Sequence, residues 1–123
     1  MAAVRSKDTE PELLVRRLVH GMGYRYRLHR PDLPGKPDLV LPGRRKIIFV
    51  HGCFWHQHTG CARSALPKSH ANYWKDKLVK NVQRDAEAIR MLRDRGWKVL
   101  VIWECQLLGR RTVERSVSRF LSR

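Results

Sequence analysis

The twenty residues KPDLVLPGRRKIIFVHGCFW, 36–55, decide how this chain is read. Leu39-Val40-Leu41 is a short apolar run that stops at the turn pair Pro42-Gly43. Ile47-Ile48-Phe49-Val50 then runs apolar without alternation, the pattern of a strand buried on both faces. Strand, turn and buried strand predict a hairpin set into a sheet that helices cover. The second strand leads directly into HGCFWHQHTGC, 51–61, which packs three histidines, two cysteines and two aromatics into eleven positions. A core segment would not carry that many imidazoles. A solvated loop would not display Phe54 and Trp55 without a use for them.

Working outward, DTEPELLVRRLVHGMGY carries a helix start: Thr9 as cap, Pro11 in the first turn and Glu12 three residues after the cap, a capping box. Leu13, Leu14, Arg17, Leu18 and Gly21 follow at helical spacing, and Gly21 and Gly23 end the helix. YRYRLH, 24–29, alternates aromatic or apolar with basic residues and predicts a strand. Residues 52–70 form an irregular loop, a length that is uncommon unless the loop is functional or clamped by a ligand. A helix is predicted from about Asn72 to Arg95, with Trp74, Leu78, Val82, Ile89 and Leu92 on one stripe and Gly96 as its stop. WKVLVIWEC, 97–105, is the next buried strand, and an amphipathic helix follows from Thr112. The order α-β-β-β-α-β-α predicts one α/β domain over residues 1–123, a mixed β-sheet flanked by helices, with no internal repeat or linker.

The 123 residues carry 26 Lys and Arg against 11 Asp and Glu, a formal charge of +15. Such a chain repels itself unless a polyanion neutralises it, and nucleic acid is the usual one. A ribosome-associated or membrane-surface protein is the competing reading. No apolar run approaches the ~18 residues that cross a bilayer, and MAAVRSK has no signal-peptide core. A cytoplasmic, nucleoid-associated protein with no membrane partner is expected.

The three cysteines are an odd number, which in a reducing compartment argues against a disulfide framework. Cys53, His58 and Cys61 are spaced C-x4-H-x2-C, so one loop can wrap three ligands around a small ion, and Cys105 can supply a fourth. Zinc suits that set, and four protein ligands leave no open position, so the ion would be structural. The competing reading is three buried thiols with incidental histidines. His51 and His56 are surplus to the metal set, and rigid histidines beside an acid suit phosphodiester chemistry. The acid is Asp38, at the start of the strand beside the one that ends at His51.

Taken together, LPGKPDLV, IIFVHGCFWHQHTGC, YWKDKLVKNVQRD and GWKVLVIWEC resemble the very-short-patch repair (Vsr) endonucleases, from about Ser6 to Leu108. The resemblance implies a restriction-endonuclease-like fold of the PD…(D/E)xK nuclease type, here with a histidine where lysine would stand and no second carboxylate on that strand. It implies Mg2+-dependent nicking of mismatched double-stranded DNA, 5′ to the thymine of a T·G pair. By position it implies that Asp38 and the backbone carbonyl of Val50 bind Mg2+, that His56 is the general base, and that His51 lies beside the scissile phosphate. Glu12 would orient His56 or metal-bound water, and Cys53, His58, Cys61 and Cys105 would hold structural Zn2+.

The same resemblance gives the aromatics a role. Phe54, Trp55 and Trp74 would wedge into the base stack from the major groove, where a wobble pair is easiest to unstack. Lys77 and Asn81, at +3 and +7 from Trp74, would read the mismatched bases. Core packing is the competing reading for the aromatics. His20, His29 and His70 are expected at the surface or in packing, and Trp97 and Trp103 in the core. Glu104 is read equally as a site residue or a bystander, and the C-terminal arginines as a solvated face touching phosphates. Relatives carry a longer N-terminal arm than the eight residues that precede Thr9 here, so the arm is read as shortened, or the chain as truncated or its start as misassigned. The loop has H-x2-C where some relatives have H-x-C, and Val50 replaces a hydroxyl residue. A monomer is expected, with repair accessory proteins as further partners. Two other functions stay open: a Vsr-like nicking nuclease of broader or restriction-like specificity, and a zinc-stabilised DNA-binding module without catalysis.

Overall fold

The computed structural model describes residues 9–123, so the expected short arm, residues 1–8, lies outside the described residues. The elements run α1 (Glu10–Gly21), β1 (Arg27–Leu28), β2 (Leu39–Leu41), β3 (Lys46–His51), α2 (Ala71–Asp94), β4 (Lys98–Trp103) and α3 (Arg110–Ser122). Short 3-10 turns occupy Pro42–Arg44, Ala62–Ser64 and Glu104–Leu108. The four strands form one sheet in the order β1-β2-β3-β4. β1, β2 and β3 pair antiparallel, whereas β3 and β4 pair parallel, so the sheet is mixed as expected. The parallel pair requires a crossover, and α2 supplies it.

Alternation along the strands sorts the core into two layers. Leu39, Leu41, Ile48 and Ile102 pack with Val15 and Val19 of α1 and with Val113, Val117 and Leu121 of α3. Val40, Ile47 and Phe49 face the other way, onto Leu92 of α2 and Trp97. Helices therefore cover both faces, which is why β3 reads as unbroken apolar sequence.

Three expectations are corrected. The strand predicted over residues 24–29 shrinks to the exposed pair Arg27–Leu28 at the sheet edge. Val82 is 40 % exposed rather than on the buried stripe of α2, whose inward residues are Leu78, Ala88 and Leu92. At α1, Thr9 caps as predicted, accepting from the Glu12 N–H at 3.4 Å, but the Glu12 carboxylate runs inward to Arg16 and His29.

Two contacts fix how the layers meet. Gly35, with φ +74°, presses on α2 so closely that an added Cβ would lie 2.8 Å from Cβ of Ala88. Lys46, buried at the start of β3, sends its ammonium to the end of α3, donating to the carbonyls of Phe120, Leu121 and Arg123 at 2.6, 3.0 and 2.7 Å. Terminal carbonyls of a helix have no partner within it, and a cation there is favoured by the helix dipole. Hydrogen bonds to a charged group contribute roughly 1.5–3 kcal/mol. Lys46→Met should therefore lower the unfolding free energy by about that amount, read as a shift of the urea midpoint. An unmoved midpoint would mean that water caps α3 equally well.

Candidate active site and metal centre

After β3 the chain winds back on itself. The N–H of His56 donates to Gly52 O at 3.1 Å and that of His58 to Cys53 O at 2.9 Å, while Gln57 Nε2 donates to Phe54 O at 2.7 Å and Ser64 O at 3.1 Å. This tight turn brings Cys53, His58 and Cys61 to one place. Cys105 arrives from the turn after β4, and the four donor atoms all lie within 4.8 Å of one another. Nδ1 of His58 is 3.7 Å from Cys53 Sγ and 3.4 Å from Cys105 Sγ. A tetrahedral ion with Zn–S and Zn–N bonds of ordinary length separates such donors by about 3.6 Å. The set fits a zinc ion by donor type and by spacing. Burial pushes the Cys53 thiol up to about 12, whereas the backbone N–H of Arg63 holds Cys61 below its ordinary value. A metal ion is what would make both thiolates at once.

Next to this cluster stands His51, at the end of β3 and 4 % exposed. Burial, helped by the neighbouring His56 charge, pushes its pKa down to about 4, so the ring is neutral at pH 7. Its Nδ1 is buried and has no hydrogen-bond partner among the described residues, an omission that native interiors rarely tolerate away from functional sites. His51 stacks on His56 with ring centroids 3.9 Å apart and planes 5° apart. His56 Nδ1 is 2.6 Å from Oδ2 of Asp85 on α2, an ion pair when the ring is protonated.

Asp38 precedes β2 and accepts from the Val50 N–H at 2.7 Å. Burial raises its carboxyl to about 7; the Val50 N–H opposes the rise and the nearby Glu12 charge adds to it. Glu12, on α1, is almost wholly buried. α1 and the entry to β2 thus bring Glu12 and Asp38 together, and a third residue joins them: the donor atoms of Glu12, His29 and Asp38 lie within 4.8 Å of one another.

Phe54, Trp55 and Trp74 meet edge to face, at centroid distances of 5.1, 5.6 and 5.7 Å. They are half-buried and belong to neither core layer. Lys77 Nζ sits 5.9 Å from the ring of Trp55 and 5.8 Å from that of Trp74. Asn81 donates to Trp55 O at 3.3 Å, so the α2 face that carries Trp74 also holds the loop.

Several residues land elsewhere than expected. The carboxylate bonded to His56 is Asp85, not Glu12, because α2 passes directly beside the loop. Asp85 lies four residues beyond Asn81 and continues the stripe of Trp74, Lys77 and Asn81, so helical spacing alone could have found it. His29 is half-buried and packs against Glu12. Trp103 is not in a core layer; it stacks on His58 at 4.3 Å and meets His51 edge-on at 5.1 Å. Glu104 serves the loop, accepting from the Cys53 N–H at 2.9 Å. Trp97 is buried as expected, and His20 and His70 are exposed.

Residues 1–63 match the family model described as DNA mismatch endonuclease Vsr. The chain is 54 % identical over 107 residues to the type II nicking enzyme V.XorIIP of Xanthomonas oryzae pv. oryzae, covering 87 % of this chain and 78 % of that one. It is 42 % identical over 110 residues to the DNA mismatch endonuclease Vsr of Escherichia coli (strain K12), covering 89 % of this chain and 70 % of that one. In fold it is similar to the homing endonuclease I-Bth0305I catalytic domain, with a TM-score of 0.64 at 20 % identity over 92 % of this chain and 94 % of that one.

Cys105→Ser removes the one donor that comes from outside the loop. The variant should lose bound metal by elemental analysis and melt lower by roughly 10 °C or more, the size expected when several kcal/mol of metal binding are lost. A metal-free variant as stable as the parent would remove the clamp.

Proposed function

The chain belongs to the Vsr family of DNA mismatch endonucleases, and on that premise we propose that it nicks one strand of duplex DNA 5′ to the thymine of a T·G mismatch, using Mg2+. The observation that carries this reading is the aromatic trio. Phe54, Trp55 and Trp74 cluster outside both core layers, and His56 follows Trp55 directly. A wedge placed there would open the stack beside the strand that the histidines attack. A T·G wobble is already poorly stacked, so the few kcal/mol lost on unstacking is least there.

Asp38 and the backbone carbonyl of Val50 would hold the divalent cation, which supplies charge at the phosphate and at the leaving oxygen. His56, with Nδ1 on Asp85, keeps Nε2 for the proton of the attacking water. Asp85 holds the ring in that orientation. The neutral His51, stacked on His56, would lie beside the scissile phosphate and offer its unpaired Nδ1 to an incoming oxygen or water. Glu12, beside Asp38, would face the same cation and the water around it. Zinc in the Cys53, His58, Cys61 and Cys105 set would serve the fold alone, since the four residues leave it no open position. Lys77 and Asn81 would contact the opened bases, and the net charge of +15 suits phosphate contacts along the duplex.

A second reading has support in the relatives named type II nicking enzymes: the same chemistry directed by another mismatch or sequence context. A DNA-binding module without catalysis is disfavoured, because the His56–Asp85 pair and the buried Asp38 add nothing to binding DNA.

Nicking of end-labelled duplexes carrying T·G, other mismatches or none, with and without Mg2+, decides between these. The first reading expects Mg2+-dependent nicking of the T·G duplex, abolished by Asp38→Ala and by His56→Ala while mismatch binding survives. Equal nicking of perfectly paired duplex would favour the second. Trp55→Ala tests the wedge separately. Base–aromatic stacking is worth roughly 1–3 kcal/mol, so preference for T·G over paired duplex should fall about tenfold to a hundredfold. The salt dependence of binding, which reports phosphate neutralisation, should stay as it was. Lowered melting temperature with discrimination intact would return Trp55 to a packing role.

A further inference from the structure

His29 stands just after β1 with φ +46°, in the left-handed region that few non-glycine residues adopt, histidine more readily than most. Strain of this kind persists where the surroundings impose it, and it gathers at functional sites. Two contacts impose it here. The His29 N–H donates to the carbonyl of Asp38 at 3.3 Å, and its ring Nε2 lies 2.7 Å from Oε2 of Glu12. The side chains of His29 and Glu12 are 22 % and 2 % exposed. The left-handed turn therefore delivers an imidazole to the two carboxylates that neighbour the phosphodiester chemistry.

We propose that His29 is a third side-chain ligand of the cation at Asp38, so that Glu12, His29 and Asp38 form a mixed carboxylate–imidazole site. This rests on the reading of Asp38 as a cation-binding residue. The spacing suits one ion: ligands on an octahedral cation at about 2.1 Å stand about 3 Å apart when adjacent and about 4 Å when opposite. The three donor atoms fall within 4.8 Å of one another, and the 2.7 Å His29–Glu12 pair needs to open by only about 0.3 Å. The two buried carboxylates repel each other, and Arg16, which pairs with Glu12 and lies 3.4 Å from Nε2 of His29, offsets part of that repulsion. An ion between them relieves the repulsion that remains. The third donor also sets which ion. Mg2+ prefers oxygen ligands and keeps its waters, whereas imidazole suits transition-metal ions. The site should accordingly take Mn2+ more tightly than Mg2+.

Electron paramagnetic resonance tests this without any cleavage assay. Titrating the zinc-loaded full chain with Mn2+ gives the affinity, and pulsed echo modulation reports a nitrogen bonded to the ion. The wild type should show a 14N coupling, replaced by 15N coupling in protein labelled with 15N-histidine, a measurement that needs no variant. His29→Asn is the variant to use, because Asn tolerates the left-handed backbone while removing the imidazole. It should lose the nitrogen coupling and bind Mn2+ roughly 10–100-fold more weakly, with a smaller change for competing Mg2+. Asp38→Asn is the parallel arm. If it abolishes Mn2+ binding while His29→Asn leaves affinity and nitrogen coupling as in the wild type, His29 is not a ligand and the reading of Asp38 survives. If Asp38→Asn binds Mn2+ as the wild type does, the Asp38 reading fails and this inference with it. A wild type that binds Mn2+ without nitrogen coupling also overturns the inference.

Discussion

Parallel pairing of β3 with β4 sets His51 opposite Trp103 at the strand ends, and two residues beyond each end stand Cys53 and Cys105. That register governs the whole functional end of the molecule. It carries both thiols to the same end of the sheet, where the wound loop adds His58 and Cys61. It also lays the indole of Trp103 between His58 and His51. A shift of one residue would turn every side chain to the opposite face, parting the thiols and sending His51 away from His56. The buried strand, the Cys and His cluster and the histidine pair are thus one assembly, with sheet hydrogen bonds on one side and four candidate metal donors on the other.

Charge is distributed with the same economy. The chain has 11 acidic residues, and three of them, Glu12, Asp38 and Asp85, converge on the histidines. Elsewhere the surface is dominated by Lys and Arg, including the exposed arginines of α3. Negative charge shielded from water and set within a basic surface is screened weakly by salt, whereas the exposed cations are screened strongly. The inward acids and the exposed cations therefore sit in different dielectric surroundings and respond differently to ionic strength. Among the described Lys and Arg residues, Lys46 is the exception, buried and engaged with the end of α3.

Much of this was legible in residues 36–61. The apolar run of β3, the turn before it and the Cys and His spacing gave the mixed sheet and the metal set, because each depends on local periodicity or on donor type. What the sequence did not reveal depends on contacts between elements. β1 failed as a strand prediction because an alternating pattern at a sheet edge is satisfied by solvent as readily as by a partner. Val82 was misplaced because at about 100° per residue it lies on the side of Leu78 away from Ala88 and Leu92, at the margin of the buried stripe. Asp85 was within reach of sequence reasoning, one turn beyond Asn81. His29 was not: its importance comes from a single left-handed residue that points it at Glu12, and no spacing rule encodes that. Trp103 looked like core for a similar reason, since strand apolarity cannot distinguish packing on a helix from stacking on a loop histidine.

The close approach of Gly35 to Ala88 carries a consequence for how this sequence can vary. The two positions share one volume: any side chain at 35 would begin 2.8 Å from Cβ of Ala88 and also press on the ring of Phe49. Ala88 lies one helical turn from Asp85, so displacing α2 there would drag the carboxylate off His56. Drift at position 35 is thus barred twice, by its φ of +74° and by a steric gauge that reaches the imidazole through α2. Positions 35 and 88 should behave as an epistatic pair, in which enlarging either is tolerated by neither, although no side chain at either position touches the reacting groups.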